Sequence, residues 1–263
     1  MIEFCNLYYS CSVPVASYQE CDKESVFQSI HNHFLDIFGN SIEYNWKEPD
    51  WWRPEECFTP FVPNLKNVSF FIGMYLDGYL ADVRNFEKFF SSSPVAKIIL
   101  LRVLKKMEPL NPESKVYQAE GVNVHTPRIM GPDFLRHFQG KQIGLYCRIH
   151  EKSSFIDLVN RWKSGKAFQN LEGVYVQMID DIPPGILNEV GVKFIDANRQ
   201  PPTHSVRQRL GWCNKNGTTH PITSHAYVVR ETDNRVASVM VSIITFLFGV
   251  WDKTEEEFLK MVE

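Results

Sequence analysis

The residues best equipped for chemistry lie between positions 204 and 225. Cys213, His220 and His225 fall within thirteen residues of one another, with His204 upstream. Thiolates and neutral imidazoles are the common ligands of zinc, but a structural zinc site takes four of them at short, paired spacings. The spacing Cys-x6-His-x4-His has no second cysteine nearby. It reads as a structural thiol and surface histidines, with no metal expected. His31 and His33 sit two apart on a helix, which points them to different faces. Nucleophilic catalysis has no better footing: there is no G-x-S-x-G turn, and Cys147 lies inside an apolar strand where a thiol is inert. Neither phosphate-cradling glycine motif is present. Asp180-Asp181 and Glu55-Glu56 are sequence neighbours and read as solvated loop acids. The expectation is a chain without catalytic residues and without a cofactor, and so not an enzyme.

Two loops suit the binding of a protein instead. Trp51, Trp52 and Arg53 stand in the proline-stiffened run Glu48-Pro49-Asp50-Trp51-Trp52-Arg53-Pro54. Tryptophan and arginine are enriched at interface hot spots, and a stiff loop loses little freedom on binding. The plainer reading is that the tryptophans staple the loop onto the first strands, since large aromatics are mostly buried. The second loop, Arg199 to Arg209, is rich in proline and arginine and is expected at the surface.

The elements that must carry these loops follow a recurring order of helix, short connection and strand. Asp22 is a candidate N-cap for a helix with Phe27, Ile30, Phe34, Ile37 and Phe38 on one face, and Gly39 stops it. Ser41 to Trp46 alternates as a half-buried strand should. A strand from Val68 to about Tyr75 precedes a helix carrying Val83, Phe86, Phe89 and Phe90, and Lys97 to Leu101 is the next strand. Pro132 opens a helix with Phe134, Leu135 and Phe138 inward, followed by the strand Ile143 to Cys147. Ser154 and Asp157 have capping-box spacing for a helix with Leu158, Val159 and Trp162 inward. Gly165 stops it, and the strand Leu171 to Val176 follows.

Strand starts near 41, 68, 97, 142 and 171 suit helix–strand units stacked side by side, each covering its neighbour's apolar face. The expected class is α/β: an irregular leucine-rich-repeat-like solenoid over residues 22–215 with a mainly parallel sheet, within one domain spanning 1–263. The rival is a doubly wound sheet with a ligand crevice at its switch point, which would suit a small-molecule enzyme. Residues 220–263 read as a closing cap. A hairpin runs from His225 to Val241 through an Asp-Asn turn, and a helix is capped by Thr254 with Glu257 three residues on. Phe258, Leu259 and Val262 would pack that helix onto the hairpin, and the cap would cover the open edge of the sheet.

Several of these segments occur together in a recognisable order. The helix with Leu158, Trp162 and Gly165 precedes the Leu171-Glu172 strand; Arg235-Val236-Ala237-Ser238-Val239 precedes Phe248-Gly249-Val250-Trp251; and Thr254-Glu255-Glu256-Glu257-Phe258-Leu259 closes the chain. The pattern resembles the F-box-associated domain of nematode F-box proteins. The match is clearest over about 130–263, with the associated segment itself at about 130–215. The resemblance implies a substrate-recruiting surface of a ubiquitin-ligase receptor, with an unidentified protein as its partner. Family members carry an F-box with a Leu-Pro pair that docks on the Skp1 adaptor. No Leu-Pro dipeptide occurs in this sequence, so the expectation is a chain without an F-box and without Skp1 as an assured partner.

Composition agrees with a packed globular chain: 263 residues, 44% hydrophobic, 13% aromatic and 22% charged. The formal charge of −3 sits in the last twelve residues, where five acids face two lysines, so the rest sums to zero. A neutral body gives no electrostatic case for nucleic acid or an anionic membrane. The six cysteines are scattered and show no C-x-x-C pair. With no basic, apolar leader at the start, the expected location is cytoplasmic or nuclear.

Overall fold

The computed structural model describes residues 2–6, 9–13, 19–39, 44–47, 62–63, 65, 67–76, 83–103, 108–126, 131–149, 151–209 and 218–262. Trp51, Trp52, Arg53 and Cys213 lie outside the described residues. The chain divides into two compact units, one of residues 1–44 with 62–68 and one of residues 45–61 with 69–263.

In the first unit β1 (Ile2–Asn6) and β2 (Tyr9–Val13) pair antiparallel. A 3-10 turn, Glu20–Asp22, leads into α1 (Lys23–Phe38). Asp22 does not cap α1 with its side chain; its carbonyl accepts from the Ser25 hydroxyl at 2.8 Å. Of the helix's residues His31 is buried, its ring edge-on to Tyr44 at 5.0 Å. The expected apolar stripe is only partly covered, with Ile37 and Phe38 more than half exposed. Gly39 ends the helix at φ 75°, a conformation that favours glycine, and the Tyr44 hydroxyl donates to its carbonyl.

The second unit is built on one large open sheet. Its elements are β3 (Tyr44–Lys47), β4 (Val68–Leu76), α2 (Val83–Ser92), β5 (Ile98–Val103), β6 (Gly121–His125), α3 (Gly131–His137), β7 (Gln142–Cys147), α4 (Ser153–Lys163), β8 (Gly173–Met178) and α5 (Ile186–Glu189). β9 (Lys193–Phe194), β10 (Thr203–His204), β11 (Ile222–Thr223), β12 (Ala226–Val229), β13 (Arg235–Val241), β14 (Thr245–Thr254) and α6 (Glu255–Leu259) complete it. The ten-stranded order is β3-β4-β5-β6-β7-β8-β14-β13-β12-β9. From β4 to β8 each strand pairs parallel with the next in the chain. From β8 onward, through β14, β13, β12 and β9, the pairing is antiparallel. The fold is therefore mixed α/β, with a large sheet that is parallel through its first half.

This order corrects the doubly wound alternative. Such a sheet reverses its strand order partway, and the crevice forms where it reverses. Here β4 to β8 follow chain order without reversal, and crossovers of one hand put the helices between them on one face. β6 was not among the expected strands. It fills the long gap between the strands at 98 and 142, and a 3-10 turn, Lys115–Gln118, stands before it in place of a helix.

Strand alternation separates two faces. Ile72, Ile99, Leu101, Val122, Val124, Ile143, Leu145, Val174 and Val176 point to the helical layer and are buried. α4 covers the middle of that layer: Phe155 packs on Phe246 at 4.8 Å and Trp162 stands edge-on to Phe248 at 5.2 Å. α4 starts at Ser153 after Lys152, without a side-chain cap, so the Ser154–Asp157 box does not form. Moving the N-cap two residues earlier, to Lys152, takes Ser154 out of the capping position. Gly165, at φ 67°, ends the turn beyond the helix as expected.

The C-terminal hairpin forms between β12 and β13, with Asn234 at φ 58° in its turn. It does not cover the sheet edge, because β14 inserts between β8 and β13 and the hairpin extends the sheet instead. α6 carries the complete Thr254–Glu257 capping box. Phe258 and Val262 pack with Tyr227, Val236 and Ile195, whereas Leu259 is exposed. Replacing Trp162 by alanine should remove about 3–5 kcal/mol of stability, measured by urea unfolding. A loss under about 1 kcal/mol, at the surface-substitution level, would contradict the packing of α4 on β14.

Candidate functional site

The face of the sheet opposite the helices is covered in its middle by the segment that follows β9. Thr203–His204 pairs antiparallel with Ile222–Thr223, and Arg207 bridges Thr218, so the segment folds into a narrow ribbon. This overturns the surface reading of the Arg199–Arg209 loop in part: Pro201 is buried, and His204 is 3% exposed.

Two contacts hold the ribbon down. The first is a clamp at the N-terminal ends of three adjacent parallel strands, where the sequence places Glu120, Gln142 and Glu172. Arg209 grips both oxygens of Glu172, Nε to Oε2 at 3.0 Å and NH2 to Oε1 at 2.8 Å, and reaches Glu120 at 3.3 Å. Gln142, 2% exposed, donates to Glu172 at 2.9 Å and to the Arg207 carbonyl at 2.7 Å, and accepts from the Arg209 amide at 2.9 Å. A guanidinium's fixed fork suits this bidentate grip in a way an ammonium could not. Burial alone would raise the Glu172 carboxyl, but the hydrogen bonds from Arg209 and Gln142 outweigh it and hold the group below the ordinary glutamate value.

The second contact is His204. Its Nε2 lies 2.9 Å from the Val250 carbonyl, and its ring stands edge-on to Trp251 at 5.0 Å. A carbonyl only accepts, so Nε2 carries the proton. Burial lowers the imidazole's pKa and keeps the ring neutral. The ring rests so closely on Gly249 that a Cβ there would meet His204 Nδ1 at 2.5 Å. Glycine in the middle of β14 is therefore explained by the approach of the ribbon.

Between ribbon and sheet lies a groove of about 420 Å³. Its floor comes from β6, β7, β8 and β14, where register aligns Asn123, Gly144, Tyr175 and Leu247 across four strands. The next row brings His125 beside Tyr146, stacked at 4.4 Å and 9° between planes. From the ribbon, His220 stacks on Tyr175 at 4.9 Å and 19°. The Tyr175 hydroxyl donates to Gln177 at 3.1 Å. Among the described residues lining the groove there is no Asp, Glu, Lys or Arg. His125 is held toward its neutral form by burial first and by the charge of Arg102 second.

The residues singled out by type now separate. His204 anchors the ribbon, His220 roofs the groove, and His225 sits apart with Nε2 3.1 Å from the Arg199 carbonyl. Among the described residues no three His, Cys, Asp or Glu gather as a metal site. Cys147 is buried on the helical face, where burial pushes its thiol up to about 12. Asp180 pairs with Arg148 at 3.1 Å. The groove residues Asn123, His125, Tyr146 and Tyr175 were not anticipated. Gly144 inside an apolar strand was the one signal pointing to them, since a mid-strand glycine often marks a close approach. Among the described residues no helix is long and apolar enough to cross a membrane. Comparison with protein-family models, with curated proteins and with solved structures finds no match.

Two outcomes follow from the anchors. Gly249→Ala should displace His204 and cost about 1–3 kcal/mol; thermal unfolding unchanged from wild type would contradict the contact. The clamp should also depend on pH. Glu172 ionises more easily folded than unfolded, so its contribution is complete above an unfolded value of about 4.3 and is lost as pH falls through the lower folded value. Hydrogen exchange at the Arg209 amide, corrected for intrinsic rates, should lose protection on acidification below about pH 4. It should already be weakly protected at neutral pH in Glu172→Gln. Equal protection in both proteins would contradict the clamp.

Proposed function

We propose that this chain is a protein-binding module, resembling the substrate-recruiting part of an F-box ubiquitin-ligase receptor, built on an irregular leucine-rich-repeat-like solenoid. The observation that carries the reading is the strand order. Five parallel strands, β4 to β8, stack in chain order, so their connections belong on one face. On the other, the ribbon and α6 lie on the later strands and the β4–β5 end is left for partners. That face displays half-buried Phe71 and Leu100 on β4 and β5, which lie opposite neighbouring positions of the sheet and beside the groove strands. A binding role is favoured over a catalytic one by the side chains at the groove. Among the described residues its lining carries no ionised pair, and burial holds His125 and His204 toward their neutral forms. The order of motifs shared with the nematode F-box-associated domain supplies the ligase context, and Trp51, Trp52 and Arg53 stay as candidate partner contacts.

Affinity purification of the tagged chain from its native cell extract, with Skp1 among the proteins scored, tests this. A specific partner should be recovered with the wild type and lost with the open-face double variant Phe71→Glu, Leu100→Glu, while the variant still unfolds cooperatively. Recovery of no specific partner, or equal recovery with the folded variant, would overturn the proposal. Skp1 recovered alongside would place the chain in a ligase; a partner without Skp1 would support the binding role outside one.

A further inference from the structure

We propose that the groove above Gly144 is a binding site for an uncharged, planar heteroaromatic small molecule. This goes beyond the protein-binding reading and does not depend on it. The groove is roofed by the ribbon on the side away from the sheet, and its volume of about 420 Å³ falls within the range of small-molecule pockets.

Depth comes from Gly144. Its neighbours across the sheet are Asn123 on β6 and Tyr175 on β8, and its same-face neighbours along β7 are Gln142 and Tyr146. A strand interior is stabilised by a β-branched or aromatic side chain and weakened by glycine. At this position the floor is bare backbone, ringed by four larger residues.

The walls set the ligand's shape and charge. Two flat ring stacks, His125 on Tyr146 and His220 on Tyr175, flank the bare floor, and planar faces stack on such rings. Among the described residues no charged side chain lines the space. Of the ions close by, Arg209 with Glu172 and Glu120 are spent on one another, and Arg102, beside His125 across the strands, is not free either. An ionised ligand would lose its hydration and meet no uncommitted counter-charge among the described residues. Gln142 is likewise fully engaged in the clamp. The amide of Asn123 and the hydroxyl of Tyr146, by contrast, line the groove and make no hydrogen bond within the described protein. Together they offer donors and acceptors to the edge of a ring. Rings carrying nitrogen or carbonyl atoms at their edges meet both requirements, whereas a hydrocarbon would leave the amide unpaired.

Saturation-transfer NMR on the full chain near neutral pH tests the assignment, with adenine, benzimidazole and nicotinamide as neutral probes and nicotinate as the charged isostere of the last. At least one neutral probe should bind. Nicotinamide should bind at least tenfold more tightly than nicotinate. Gly144→Val should abolish binding by filling the floor. Asn123→Ala removes an amide that holds no other described residue, so it should leave unfolding unchanged and weaken binding about three- to tenfold. Binding of none of the neutral probes, equal binding of nicotinate, or binding unaltered in either folded variant would overturn the proposal. These results are separable from the affinity purification, whose variants lie on β4 and β5.

Discussion

The grip of Arg209 on Glu172, completed by Gln142, is the interaction on which the open face depends. Without it the described parts of the ribbon, residues 199–209 and 218–223, would keep His204 on Val250 and His220 on Tyr175 but lose their ionic tether. The three partners on the sheet side all stand at the N-terminal ends of adjacent parallel strands, because parallel pairing in register brings those ends into one line. The clamp thus follows from the sheet's topology: three strand starts side by side offer two carboxylates and an amide to one guanidinium. The pair is partly exposed, with Arg209 and Glu172 at 26% and 27% of side-chain accessibility, so neither ion bears the full cost of burial.

The same topology explains why the groove is neutral. Sequential parallel strands leave one face free of helices, and an uncovered apolar face would be an aggregation hazard. The ribbon covers the centre of that face and α6 covers its far end, where Phe258 packs on Tyr227 and Trp251. Glycines at 144 and 249 serve the cover in different ways. Gly249 lets His204 touch the sheet, whereas Gly144 keeps space beneath the roof. Among the described residues lining the groove there is no ion, so its interior holds rings and amides.

Several local features of the sequence translated into structure, the side-chain caps expected at Asp22 and Ser154 excepted, and long-range ones did not. The Thr254–Glu257 box, the hairpin turn at Asn234 and the inward face of Leu158, Val159 and Trp162 each depend on residues within a few positions of one another. Gly121 to His125 escaped notice as a strand because it is five residues long, begins with glycine and follows a turn in place of a helix. The Phe246–Trp251 run is apolar without alternation, since both faces of β14 are covered, and nothing local marks it as a strand between β8 and β13. The clamp was out of reach for a different reason. Arg209 lies 37 residues from Glu172 and 89 from Glu120, so no spacing rule connects them. Proline and arginine made the loop look solvated, whereas one of its arginines is its main attachment.

The central claim is that the ribbon lies on the sheet face and encloses the groove. Nuclear Overhauser contacts in the full chain test it most directly. The account predicts cross-peaks between the ring protons of His220 and Tyr175, and between the His204 ring and the Gly249 α-protons. Absence of both in a folded, fully assigned protein would contradict the account.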